Sequence, residues 1–121
     1  MTVQEKPLQS AAFELIKQAI AERKLISAVY HGLRRELCPH VLGWKADREH
    51  ALFFQVAGDS AKGLDATGSW RCLNLDELNE VEIHKGEFRT GPGYYDNPQK
   101  CVDKIEAQIP PLKLVAKRMS I

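Results

Sequence analysis

"YHGLRRELCPHVLGW", residues 30–44, is the stretch on which the reading of the fold turns. His31-Gly32 is a turn-forming pair, and the residues after it alternate as a β-strand does. Counted from Leu33, the residues Leu33, Leu37 and Val41 share one face, and Arg35 falls in the same row. An arginine in a row that should face the core needs an acid partner, a route to water, or an anionic ligand. Pro39 has no N–H to give to a ladder, so the strand is expected to bend near it.

Working outward, Ser10 is placed to cap a helix over "AAFELIKQAIAERK" (11–24). Phe13, Ile16, Ala19 and Ile20 recur at three- and four-residue spacing, which gives the helix one apolar face to bury. "LISAVY" (25–30) reads as the first strand and the opening stretch as the second. "KADREH" (45–50) reads as a polar connection and "ALFFQVAG" (51–58) as a third strand with Leu52, Phe54 and Val56 on one face. "DSAKGLDATGS" (59–69) is a loop by composition, "WRCLNL" (70–75) a fourth strand and "NEVEIHK" (79–85) a fifth, joined by a tight "DEL" turn. One helix followed by five short strands with hairpin-length connections predicts a mainly β fold: a five-stranded SH3-type barrel preceded by an amphipathic α-helix. "TGPGYYDNP" (90–98) reads as loop, and Pro98 suits the first turn of a short second helix over "PQKCVDKIEA". The expected organisation is a flexible lead-in at 1–9, a domain at 10–88, and a C-terminal loop, short helix and tail at 89–121.

Composition limits the function classes. The chain has 121 residues, 44% hydrophobic and 27% charged, with 17 basic residues against 16 acidic. The near-neutral balance argues against a nucleic-acid binder that works by bulk charge, and leaves room for a local basic pocket. Cys38, Cys72 and Cys101 are odd in number and widely spaced, which predicts free thiols in a reducing compartment. No signal-peptide core opens the chain and no apolar run approaches the ~18 residues of a membrane span. The expected location is the cytoplasm, with no membrane partner.

Arg71 repeats the puzzle of Arg35, sharing parity with Leu73 and Leu75 in the fourth strand. A guanidinium fork grips phosphate or carboxylate with two parallel bonds, so two arginines on inner rows point to a shared anion pocket. Tyr30 and His31, at the turn before the Arg35 strand, add stacking and hydrogen-bonding groups. The opposing reading is an internal acid partner for each arginine, or a change of face at Pro39.

In order and spacing these residues resemble the WYL domain, found in bacterial transcriptional regulators and in small stand-alone proteins. The resemblance runs from about Leu15 to Phe88. Tyr30, Gly32, Arg35, Pro39 and Leu42 fit the tyrosine–glycine–arginine–proline–leucine progression of the first hairpin. Arg71, Leu73, Leu75, Asp76 and Leu78, followed by Val81, fit its arginine–phenylalanine–apolar–aspartate–isoleucine block. The resemblance implies an Sm-like, SH3-type barrel and a ligand-sensing role toward single-stranded nucleic acid or a nucleotide-type anion, with Arg35 and Arg71 facing the ligand. The chain departs from the family where Ala51-Leu52-Phe53 stands for the tryptophan–tyrosine–leucine triplet, and where Asn74 and Glu77 stand for further arginines. It contains no helix-turn-helix segment, so a role in transcription implies a separate DNA-binding partner protein.

Other chemistry is thinly supported. Cys38-x-His40, with Cys72 or His84, contains metal-capable side chains, but only one local pair, where zinc sites recurrently use two. The same pair lacks a nucleophile–base motif, the carboxylates of Asp76, Glu77, Glu80 and Glu82 read as turn and surface residues, and "GLDATGS" is not a phosphate loop. Trp44, Trp70, Tyr94 and Tyr95 suit either base stacking or packing at the rim of a core. The sequence therefore reads as a binding module, not an enzyme, with no cofactor and no metal. The alternative is a protein-interaction module without a ligand, in which the apolar, basic tail "LKLVAKRMSI" (112–121) completes a homodimer.

Overall fold

The computed structural model describes residues 9–58, 68–96 and 98–110. Helix α1 (Ala11–Glu22) starts where Ser10 caps it: the Ser10 hydroxyl oxygen accepts from the Phe13 N–H at 3.1 Å. Its hydroxyl hydrogen is donated to Glu49, whose other carboxylate oxygen accepts the Ser10 N–H at 3.1 Å. The cap is thereby tied to the sheet. Arg23 ends the helix in the left-handed conformation, and the Lys24 N–H turns back to the Ala19 carbonyl at 2.9 Å.

Five antiparallel strands follow: β1 (Leu25–Tyr30), β2 (Leu33–Lys45), β3 (Arg48–Gly58), β4 (Ser69–Asn74) and β5 (Leu78–His84). A sixth, β6 (Lys104–Gln108), lies beside the far half of β2. His31 and Gly32 both have positive φ, which is the type I′ geometry that suits a two-residue hairpin between Tyr30 and Leu33. Ala46 and Asp47 form a second such turn, so most of the expected polar connection at 45–50 is strand. The sheet order is β4-β3-β2-β1-β5, with β6 off that path. A 3-10 turn (Leu75–Glu77) joins the two edge strands β4 and β5 directly. Three residues span little distance, so the sheet must curl sharply for its edges to be linked there. Among the described residues no ladder joins those edges, and the architecture is a six-stranded open sheet with one helix, not a closed five-stranded barrel.

Strand β2 changes partners along its length. Its first half pairs with β1 from Leu33 to Leu37, and its second half pairs with β6 from Val41 to Trp44. The gap falls at Cys38, Pro39 and His40, where proline can donate nothing and the register with β3 shifts. Before the bulge, Arg35 and Leu37 face the main core. After it, Leu42 takes the core side, and Val41 joins a cluster on the opposite face with Cys101 and Val102. Val41 therefore does not share the row of Arg35 and Leu37, because the inserted residue inverts the alternation.

The main core lies between the curled sheet and α1. Phe13, Ile16, Ala19 and Ile20 pack on Ile26, Ala28, Leu37, Leu42, Phe53 and Leu73. On β3 the core row is Ala51, Phe53 and Gln55, the face away from Leu52, Phe54 and Val56. Leu52, Phe54 and Val56 face the other way and are covered by a second layer, so both rows of β3 are apolar. That layer is formed by residues 86–96 and 98–103, a strap across β2, β3 and β4. Trp70 donates its indole N–H to the Pro92 carbonyl at 3.0 Å, and Tyr94 donates its hydroxyl to the Ile109 carbonyl at 2.6 Å.

The short helix expected from Pro98 is absent: residues 104–108 are strand β6 and no helix occupies 98–110. The Gln99 side-chain oxygen accepts from the Cys101 and Val102 N–H groups, both at 2.8 Å, and turns the chain. Past β1, the edge of β2 is open from Val41 onward, and β6 supplies its missing partner. Helical spacing within 98–107 carries no information about that edge. The expected loop at 59–69 falls mostly outside the described residues, as does the tail at 112–121. Cys72 and Cys101 are not free thiols. They form a disulfide with a Cα–Cα distance of 5.6 Å, inside the usual range. The strap brings together cysteines 29 residues apart, and closing that loop removes unfolded-chain entropy equivalent to about 3–4 kcal/mol. Cys38 is buried and free.

His40 is fully buried where the bulge meets the strap. Its Nδ1–H donates to the Cys38 carbonyl at 2.8 Å and its Nε2 accepts the Gly91 N–H at 3.1 Å, a pattern that only the neutral ring can satisfy. Trp70, Phe88 and Tyr94 surround the ring. Burial lowers its pKa to about 4 from 6.5. Between these values the unfolded chain binds a proton that the folded one refuses. Stability is therefore complete above pH 6.5 and falls as the pH drops toward 4, by about 3 kcal/mol. Urea midpoints across that range are expected to show the loss, and His40→Phe to flatten this part of the profile. Gly43 lies so close to β6 that a Cβ there would overlap the Lys104 carbonyl oxygen. Gly43→Ala is expected to cost about 1–3 kcal/mol, read as a lower urea midpoint.

Candidate anion-binding site

The four residues singled out by the sequence form one connected line. Arg35 is buried at 5% exposure on the core side of β2. Its Nη1–H group donates to the Gln55 side-chain oxygen at 3.4 Å, and its Nη2–H group to the Tyr30 carbonyl at 3.3 Å. Arg71, half-buried on β4, donates its Nε–H to the same Gln55 oxygen at 3.1 Å. Two guanidiniums from opposite sides of β3 thus meet on one neutral acceptor. The register places them there, since Arg71 pairs with Phe53 and Arg35 with Gly58 at either end of the short segment that carries Gln55.

From Arg35 the line continues through aromatic rings. Its guanidinium carbon lies 5.0 Å from the centre of the Tyr30 ring, within cation–π range. Tyr30 stacks on His31 with ring centres 4.0 Å apart. The exposed His31 ring pairs through Nε2 with the carboxylate of Glu77. The hydrogen bond from His31 holds the Glu77 carboxyl below its ordinary range. Burial raises the Tyr30 phenol, the neighbouring Glu77 charge adds to that, and Arg35 partly offsets it.

Gln55 is the member that the sequence reading missed. It is wholly buried, and its amide donates to the Ala57 carbonyl at 3.2 Å while its oxygen takes both arginines. The available signal is one polar residue inside "ALFFQVAG", and alternation alone does not say which row of this strand faces the core. Asn74 and Glu77 also have local duties. Asn74 caps the 3-10 turn by accepting the Asp76 N–H at 3.1 Å, and Glu77 holds His31.

The residues considered for metal or nucleophilic chemistry are dispersed. Both ring nitrogens of His40 are engaged, His84 stands 3.5 Å from Glu36, and Cys72 is in the disulfide. Among the described residues no group of three or more His, Cys, Asp or Glu could hold a metal ion. No described helix is long and apolar enough to cross a membrane. Trp44 packs on Phe13 with ring centres 5.1 Å apart, and Trp70 packs on Phe54, so both tryptophans serve the layers of the fold.

No family model matches the chain, and no curated protein or solved structure matches it.

The shared acceptor makes Gln55 a sensitive position. Gln55→Leu keeps the volume but leaves both arginines without that oxygen. The expected cost is about 2–4 kcal/mol, measured by urea denaturation. Gln55→Glu supplies a charge between the two cations and is expected to raise the midpoint above that of Gln55→Leu.

Proposed function

We propose that this chain is a regulatory binding module of the WYL type, which takes single-stranded nucleic acid or a nucleotide at Arg35 and Arg71 and acts in bacterial transcriptional regulation. The observation that carries this reading is the meeting of two guanidiniums on the Gln55 oxygen, beside the stacked rings of Tyr30 and His31. Phosphate suits the paired forks, and a base suits the exposed face of a stacked ring. Arg71 and His31 are the more accessible ends of the line, so they make first contact, while the buried Arg35 supplies charge from below.

The number of cations limits the ligand. Asn74 and Glu77 stand where the family often has arginines, and both are committed to local structure. Two arginines suit one or two phosphates, which favours a nucleotide or a short single-stranded stretch over a long phosphate track.

Titration of a fluorescent single-stranded DNA oligonucleotide at several salt concentrations tests this. Two phosphate contacts predict a slope of log K against log salt of about −1.4. Arg71→Ala is expected to abolish binding with the fold retained by circular dichroism, and Arg71→Lys to weaken it by losing the fork. Binding indifferent to both variants, or absent from the wild type for oligonucleotide and nucleotide alike, would refute the proposal.

A further inference from the structure

On the opposite side of β3 from Gln55 lies a cleft of about 450 Å³, a size that admits a small molecule. Leu52, Trp70, Tyr94 and Gln99 line it, and so do both halves of the Cys72–Cys101 disulfide. The two sulfurs belong to residues of unlike accessibility. Cys101, within the strap, is 6% exposed, whereas Cys72 is exposed on edge strand β4. A thiolate arriving in the cleft therefore reaches Cys72 far more readily than Cys101.

Each cysteine is also held by contacts other than the disulfide. Cys72 is paired with Leu52 in the β3–β4 ladder. Cys101 is held by the Gln99 side chain, whose oxygen accepts the Cys101 and Val102 N–H groups while its amide donates to the Val102 carbonyl at 2.8 Å. These contacts hold the backbone at both cysteines independently of the S–S bond. Lys100, the chain neighbour of Cys101, also lines the cleft, and a cation there favours a departing thiolate.

We propose that Cys72–Cys101 is a thiol–disulfide exchange site, and that the cleft accepts a low-molecular-weight thiol that attacks Cys72. The incoming thiolate sulfur bonds to Cys72 Sγ, the Cys72–Cys101 bond breaks, and Cys101 leaves as a thiolate that takes a proton from water. The product is a mixed disulfide on Cys72. A second thiol then attacks that mixed disulfide, freeing Cys72 and leaving with the first thiol as an oxidised dimer. A concave site of this size suits a peptide-sized thiol better than the projecting active site of a protein reductase. Cys38 takes no part. It is buried, and burial raises its thiol pKa, so it serves as an internal marker of unfolding.

The experiment uses the whole oxidised wild-type chain. It is incubated with reduced glutathione under native conditions, quenched with N-ethylmaleimide and mapped by peptide mass spectrometry. The expected result is glutathione on Cys72, maleimide on Cys101 and an unlabelled Cys38. Cys101→Ser given oxidised glutathione is expected to form the Cys72 adduct about tenfold faster or more than Cys72→Ser forms one on Cys101, following accessibility. Glutathione on Cys101, exchange only at the rate at which Cys38 becomes labelled, or wild-type protein isolated without reductant that carries free Cys72 and Cys101 thiols would each overturn the proposal.

Discussion

The break in β2 at Cys38, Pro39 and His40 is the constraint on which the rest of the structure depends. A 13-residue strand would otherwise keep one partner on each side along its whole length. Proline withholds a donor in the middle of the sheet, and the extra residue shifts the register, so the strand bends and exchanges β1 for β6. His40 makes that break tolerable. Its ring satisfies the Cys38 carbonyl and the Gly91 N–H, and its own carbonyl accepts the Ile109 N–H at 2.8 Å. One side chain thus joins the bent strand to the strap and lies beside the chain end of β6.

The two faces of the sheet then take different characters. The face under α1 is an aliphatic and phenylalanine core interrupted at one end by a polar line of Arg71, Gln55 and Arg35. The opposite face holds small apolar clusters under the strap, a neutral histidine among aromatic rings, and a disulfide at the rim of a cleft. Gln55 and Leu52 illustrate the division. They sit three residues apart on β3, yet one lines the arginine site and the other the sulfur-walled cleft. Strand alternation alone separates the two chemistries.

Hydrogen bonds between its members hold the arginine line at this end of the core. Gln55 accepts two charged donors through one oxygen, which is stronger than a neutral pairing but depends on both arginines being held in place. The surface pairs nearby, such as Arg34 with Glu80 at 3.1 Å and Arg48 with Asp76 at 3.4 Å, are solvent-exposed and add little stability. Cooperation among buried polar groups, more than surface charge, organises this end of the molecule.

By itself the amino-acid order determined the helix with its Ser10 cap, the five strands 25–84 to within a few residues, the His31-Gly32 turn, and the inner-row position of Arg35. These rest on local physics: capping, period, turn chemistry and the missing donor of proline. Tertiary structure alone decided the rest. Which row of β3 faces the helix was not legible, because both rows are apolar and only the second layer distinguishes them. Gln55 as the meeting point of two arginines depends on the β2–β3 and β3–β4 registers, which no single strand encodes. Residues 104–108 became β6, not helix, because the bulge left the edge of β2 without a partner, and the Cys72–Cys101 pair formed because the strap carried one cysteine across the sheet to the other. Each of these depends on contacts between segments distant in the chain, where local preference is weaker than the demand to pair a backbone edge and cover an apolar face.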